Sequence, residues 1–209
     1  MGKKLKFKED FTLVALLLIP VSVAINMVGF QICQLLRLPI FLDSIGTILV
    51  AIIAGPIISI ITGFVTNLIN AIFNPTYFPY VITSMAIGAF AGLLSKYGMF
   101  KNKLKVFISG LILTLVSTIV SAPVTVFFFG GLTGSTGSII TAGLLASGQQ
   151  MWSAVFSSGF IIEIVDKLIS VYVVAFIVEK ISERYLSKLK YGHLYIGRKV
   201  ARNLDFLDE

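Results

Sequence analysis

Asp43, Thr66, Asn67, Asn70, Asn74, Tyr77 and Tyr80 punctuate a stretch otherwise fit for hydrocarbon, DSIGTILVAIIAGPIISIITGFVTNLINAIFNPTYFPY. Carboxyl, amide and phenol groups are tolerated in a membrane when they face the protein interior or a wet cavity, so the segment marks a functional site. The chemistry available to these groups is recognition: they can hydrogen-bond a polar solute as the wall and rim of a small pocket. A second set lies late in the chain, where Gln149, Gln150 and Trp152 precede Glu163, Asp166 and Lys167. Glu163 and Lys167 are four residues apart and share a helical face. They either neutralise each other and pin the helix, or leave one member free for a ligand. Trp152 offers a flat stacking surface or an interfacial anchor, and the same two roles are open to Tyr77 and Tyr80. Asn26 on the first apolar run, with Gln34 and Arg37 beyond it, completes the ligand-binding candidates.

The composition decides which elements position them. Of 209 residues, 56% are hydrophobic and 13% charged, and the mean hydropathy is +0.95. A soluble domain carries about one quarter charged residues, so this is an integral membrane protein, all-α, with little left over for a soluble domain. The net charge of +7 gathers at the ends of apolar segments, where it reports topology and not nucleic-acid binding. Cys33 and His193 are the only residues of their types, which argues against a disulfide or a His/Cys metal site. The Gly130–Gly137 loop, GGLTGSTG, lacks the Gly-Lys-Ser/Thr of a phosphate-binding loop and suits a mobile lid. No enzymatic chemistry and no cofactor are expected.

In chain order, Lys3, Lys4, Lys6 and Lys8 precede a first helix over 11–30, kinked at Pro20, and 31–42 form an external loop. A short helix 2 over 43–54 starts at Asp43 as N-cap and breaks at Gly55-Pro56; helix 3 runs over 56–73. Helix 4 ends near 94 with a small-residue face at Gly88, Ala91 and Gly92, before a basic loop, and helix 5 covers 106–128. Helix 6 spans 161–181, with Glu163, Asp166 and Lys167 in its first two turns. If 139–160 crossed fully, the basic tail would lie outside, so the segment is expected to be short or re-entrant. The expectation is one domain over 1–190, a six-transmembrane-helix bundle with both termini cytoplasmic, followed by a polar cytoplasmic tail over 191–209. No Walker motif, voltage sensor, selectivity filter or inverted repeat is visible, so such a protein binds a solute and needs partners to move it.

The FLDSIGTILVAIIAGP and NPTYFPY stretches, the basic N-terminus, the six-helix plan, the basic loop after helix 4 and Asp166-Lys167-Leu168-Ile169-Ser170 resemble the S components of energy-coupling factor (ECF) transporters over nearly the whole chain. The resemblance implies a subunit in the plasma membrane of a prokaryote that captures a vitamin or vitamin precursor outside the cell. It also implies docking onto a T subunit carrying two ATPases, and toppling to release the ligand inside. The family docks through an Ala-x-x-x-Ala-type pattern on helix 1. That pattern is absent here; Ala15, Ser22 and Ala24 are the candidates, with Gly55 contributing. The mixture of Asn, Asp and Trp favours a pyridine or pyrimidine ring compound, with riboflavin, cobalamin-like and queuosine-precursor substrates as alternatives. A membrane-embedded sensor and a small pore are the readings from other classes.

Overall fold

The computed structural model describes residues 11–196, so Lys3, Lys4, Lys6 and Lys8 and the last part of the expected tail lie outside the described residues. The elements are α1 (Leu13–Leu35), α2 (Ile45–Ile53), α3 (Pro56–Phe73), a 3-10 turn (Pro75–Tyr80), α4 (Val81–Lys96), α5 (Lys103–Phe129), α6 (Ser138–Ala146), α7 (Met151–Lys180), the single turn α8 (Glu183–Leu186) and a last 3-10 turn (Gly192–Tyr195). No strand occurs among the described residues. Among the described residues, four segments are long and apolar enough to cross a bilayer: α1, α3, α4 with its leading 3-10 turn, and α5. The 30-residue α7 has the length but carries Glu163, Asp166 and Lys167.

Three boundaries differ from the sequence expectation. α1 runs on to Leu35, so Gln31 and Gln34 are helical and the connector to α2 is only 36–44. The 139–160 segment is no unit: it divides at Gly148, whose φ of 89° suits glycine, into α6 and the first turns of α7. Nothing between 151 and 161 interrupts a helix strongly enough, Gly159 alone costing about 1 kcal/mol. Glu163, Asp166 and Lys167 consequently sit in the middle of a long helix and not at its start.

α2 and α3 diverge from the shared Gly55-Pro56 turn, and their lengths decide where the interior opens. Nine residues carry α2 about 13 Å while eighteen carry α3 about 27 Å. The N-terminus of α2 therefore stops near mid-height of the bundle, and 36–44 descend to meet it. Every residue of α2 is buried, with Ile48, Val50, Ile52 and Ile53 fully enclosed in a core shared with α1, α4 and α7. Small residues set the close crossings. A β-carbon at Gly46 would collide with the Ser22 carbonyl of α1, and Gly88 and Gly92 of α4 abut Ser59 and Pro56 of α3.

The opposite end is closed by residues 181–196, of which 191–196 belong to the expected polar cytoplasmic tail. Tyr191 donates its N–H to the Ile53 carbonyl, and its ring lies against Gly55, whose φ is 99°. The Tyr195 hydroxyl meets Ser95 Oγ at 2.9 Å, and Ser95 Oγ donates to the Ile52 carbonyl at 2.8 Å. Leu186, Leu189 and Tyr195 are buried. Residues 181–196 thus form a cap on the α2–α3 break.

Candidate ligand-binding site

A recessed helix N-terminus leaves backbone N–H groups unsatisfied inside the bundle. Asn26, near the middle of α1, supplies what α2 lacks. Its Oδ1 accepts from Gly46 N at 2.7 Å and lies 3.4 Å from Thr47 N, while Nδ2 donates to Thr47 Oγ1 at 2.8 Å and Thr66 Oγ1 at 3.0 Å. Ser44, the residue before α2, makes no side-chain cap bond of its own. The expected ligand role of Asn26 gives way to a cap supplied from another helix, and Asp43 is released from capping.

From the other side, Asp166 holds the connector. Its Oδ1 accepts from Phe41 N at 3.0 Å and Leu42 N at 2.6 Å, and its Oδ2 pairs with Lys167 Nζ. Leu42 sits at φ 48°, left-handed backbone that costs a branched side chain on the order of 1 kcal/mol. Two charge-assisted bonds from a fully buried carboxylate offset that cost. Lys167 Nζ also lies 2.9 Å from Glu163 Oε2, although the geometry there gives Oε2 no aligned hydrogen bond. Asp166 is thus a structural staple, and Lys167 is shared between two carboxylates.

Between this α7 cluster, the connector, α3 to α5 and the loop after α5 lies a cavity of about 260 Å³. Gln34, Asp43, Asn67, Asn74, Tyr77, Tyr80, Glu163 and Lys167 line it. Tyr80 is fixed by a 2.7 Å bond between its hydroxyl and Thr125 Oγ1 and by stacking on Phe129. Tyr77 packs edge-on against Phe30 and receives a long 3.5 Å contact from Gln34 Nε2. Asn67 donates to the Tyr80 carbonyl and to Ser84 Oγ. The loop lies over the void and is tied to itself by hydroxyls, with Thr133 Oγ1 2.9 Å from both Ser135 Oγ and Ser138 Oγ.

Asp43 enters this cavity on the connector, with Lys167, Asp166 and Glu163 as its charged neighbours. A carboxylate so placed has lost water without gaining a full counter-charge.

Several expected site residues stand elsewhere. Arg37 is exposed on the connector, Gln149 and Gln150 are exposed ahead of α7, and Trp152 is 44% exposed, packed on Phe127 and Phe156. None of these lines the cavity. Asn70 is buried and off the cavity wall, with neither amide atom hydrogen-bonded. Among the docking candidates, Ala15 and Ser22 are buried and Gly55 is covered by Tyr191. A partner reaching the outer surface cannot touch them in this conformation; Ala24 alone of the four is exposed.

The sequence reading missed the hydroxyl wall. Ser117, Ser121 and Thr125 on α5, Thr83 and Ser84 on α4, and Thr141 and Ser158 all line the cavity. Ser117, Ser121 and Thr125 recur every four residues, one face of a helix, and that stripe in an apolar segment was the available signal.

Membrane-length helices around an internal cavity with a polar lining make this a multi-pass membrane protein. The chain matches the family model described as ECF transporter, substrate-specific component, over residues 14–178, and it belongs to that family. It is a substrate-specific component of a transporter, a substrate-binding membrane subunit and not an enzyme. No curated protein and no solved structure matches it.

Proposed function

We propose that the chain captures a small, water-soluble ring compound, a vitamin or vitamin precursor of pyridine or pyrimidine size, from outside a prokaryotic cell. A T subunit with two ATPases then draws it inward. The cavity carries this reading. At about 260 Å³ it lies just below the range of roughly 300–1,000 Å³ typical of ligand pockets, which favours a single substituted ring over a flavin or corrin. Its wall includes the Thr83 and Ser117 hydroxyls, both buried and without a partner, and such groups are costly unless something hydrogen-bonds them.

The reading has both termini inside and six passes, with α2 as a short inner one. Lys96, Lys101, Lys103, Lys105, Lys180 and Arg184 gather at the end opposite the cavity, as the positive-inside tendency requires of a cytoplasmic face. Toppling on the T subunit is physically reasonable because α1, α3, α4 and α5 carry no charge outside Lys96, Lys103 and Lys105. The exposed stripe Leu17, Val21, Ala24 and Val28 on α1 is the docking face in this reading.

Native mass spectrometry of the full-length protein purified in mild detergent tests it, with a retained small polar molecule as the expected result. The double variant Thr83→Val, Ser117→Ala should lower its retention at least about tenfold, and the melting temperature of the solute-free protein should hold or rise, because unsatisfied hydroxyls contribute nothing to the empty fold. Unchanged retention in the variant, or no retained solute together with no binding of added pyridine compounds, would overturn the reading.

A further inference from the structure

The charged wall of the cavity is unbalanced. Asp43 and Glu163 line it with one ammonium, Lys167, and Asp166 stands behind the wall paired with that ammonium, so full ionisation of the three carboxylates leaves two negative charges uncompensated. Lys167 is already shared by Asp166 and Glu163, and Asp166 is further occupied by two backbone N–H groups. The remaining acceptors on the wall are Asp43 and Glu163, the latter 8% exposed. A second observation points the same way. The Thr83 and Ser117 hydroxyls, 6% and 0% exposed on other helices lining the void, also have no partner, so the cavity holds polar groups waiting on a ligand from more than one side. Arg37, the connector's own cation, is exposed and does not line the void.

Resting on the solute-binding reading, we propose that the ligand carries a protonated nitrogen, a primary ammonium or basic ring nitrogen, which sits between the Asp43 and Glu163 carboxylates while the hydroxyl wall takes its ring substituents. Any donor makes a charge-assisted bond to a carboxylate, and an ammonium adds Coulomb attraction that is strengthened in a site screened from water. An anionic solute would meet two like charges and is rejected. A neutral amide can donate both of its N–H groups but carries no charge and leaves the imbalance in place.

The test uses the full-length purified protein and three rings that differ in charge: 3-(aminomethyl)pyridine, nicotinamide and nicotinate. Calorimetry should find the ammonium compound binding at least about tenfold more tightly than the amide, with the carboxylate failing to compete. Asp43→Asn, nearly isosteric, should bring the ammonium and amide within about threefold of each other, and Glu163→Gln should do so in part. Native mass spectrometry should identify any retained solute as basic. A retained solute without a basic nitrogen, a carboxylate that binds as well as the ammonium, or a preference intact in Asp43→Asn would overturn the charge assignment and leave solute binding standing. Neither a retained solute nor binding of any probe would overturn both.

Discussion

Lys167 is the residue on which the interior charges depend. Removing one partner of a buried ion pair strands the other, typically at about 3–5 kcal/mol. Lys167→Met strands Glu163 and Asp166 together and frees the oxygen that Asp166 sets against Lys167, so thermal unfolding in detergent should show a loss of at least that size. Asp43 makes a different prediction. A cationic ligand binds the ionised carboxylate, so acidification should weaken the binding of 3-(aminomethyl)pyridine. The titratable groups around Asp43 are Cys33, Tyr77, Glu163, Asp166 and Lys167, so the dependence is assigned by its disappearance in Asp43→Asn. A rise in affinity toward low pH would contradict the sign.

α2 is the element that makes the cavity. Being half as long as α3, it leaves the upper interior unfilled by helix, and its buried N-terminus survives because Asn26 caps it across the α1–α2 contact. Asn26→Ala should therefore lower stability by about 1–3 kcal/mol, while the folded fraction retains solute as wild type does. A variant that folds normally yet loses its solute would instead return Asn26 to the binding site. Asp166 is the counterpart on α7, and the left-handed Leu42 it holds is strain kept where the connector enters the site.

At the scale of the whole molecule the two ends differ in kind. One carries the hydroxyl-rich loop and the cavity; the other carries the lysines and the cap formed by Tyr191 and Tyr195. Single cysteines at Thr136 and Asn102 distinguish the orientations, since natural Cys33 is fully buried. An impermeant maleimide should label Thr136→Cys in intact cells and Asn102→Cys only after permeabilisation. The reverse pattern would invert the topology.

Much of the class was legible in the residues themselves. Apolar run length, lysine placement and the Gly55-Pro56 break depend on local sequence and on the membrane's thickness, and Asp43, Tyr77, Tyr80 and Glu163 stood out because polar groups in such runs are costly. The individual roles did not follow from residue type. Asn26 and Asp43 are both short polar side chains in apolar surroundings, yet one is occupied by four hydrogen bonds to three residues and the other faces a void. That division, the outward turn of Trp152 and the burial of Ala15, Ser22 and Gly55 were decided by which helix faces meet. Contacts between residues dozens of positions apart set those faces, and local periodicity carries no record of them.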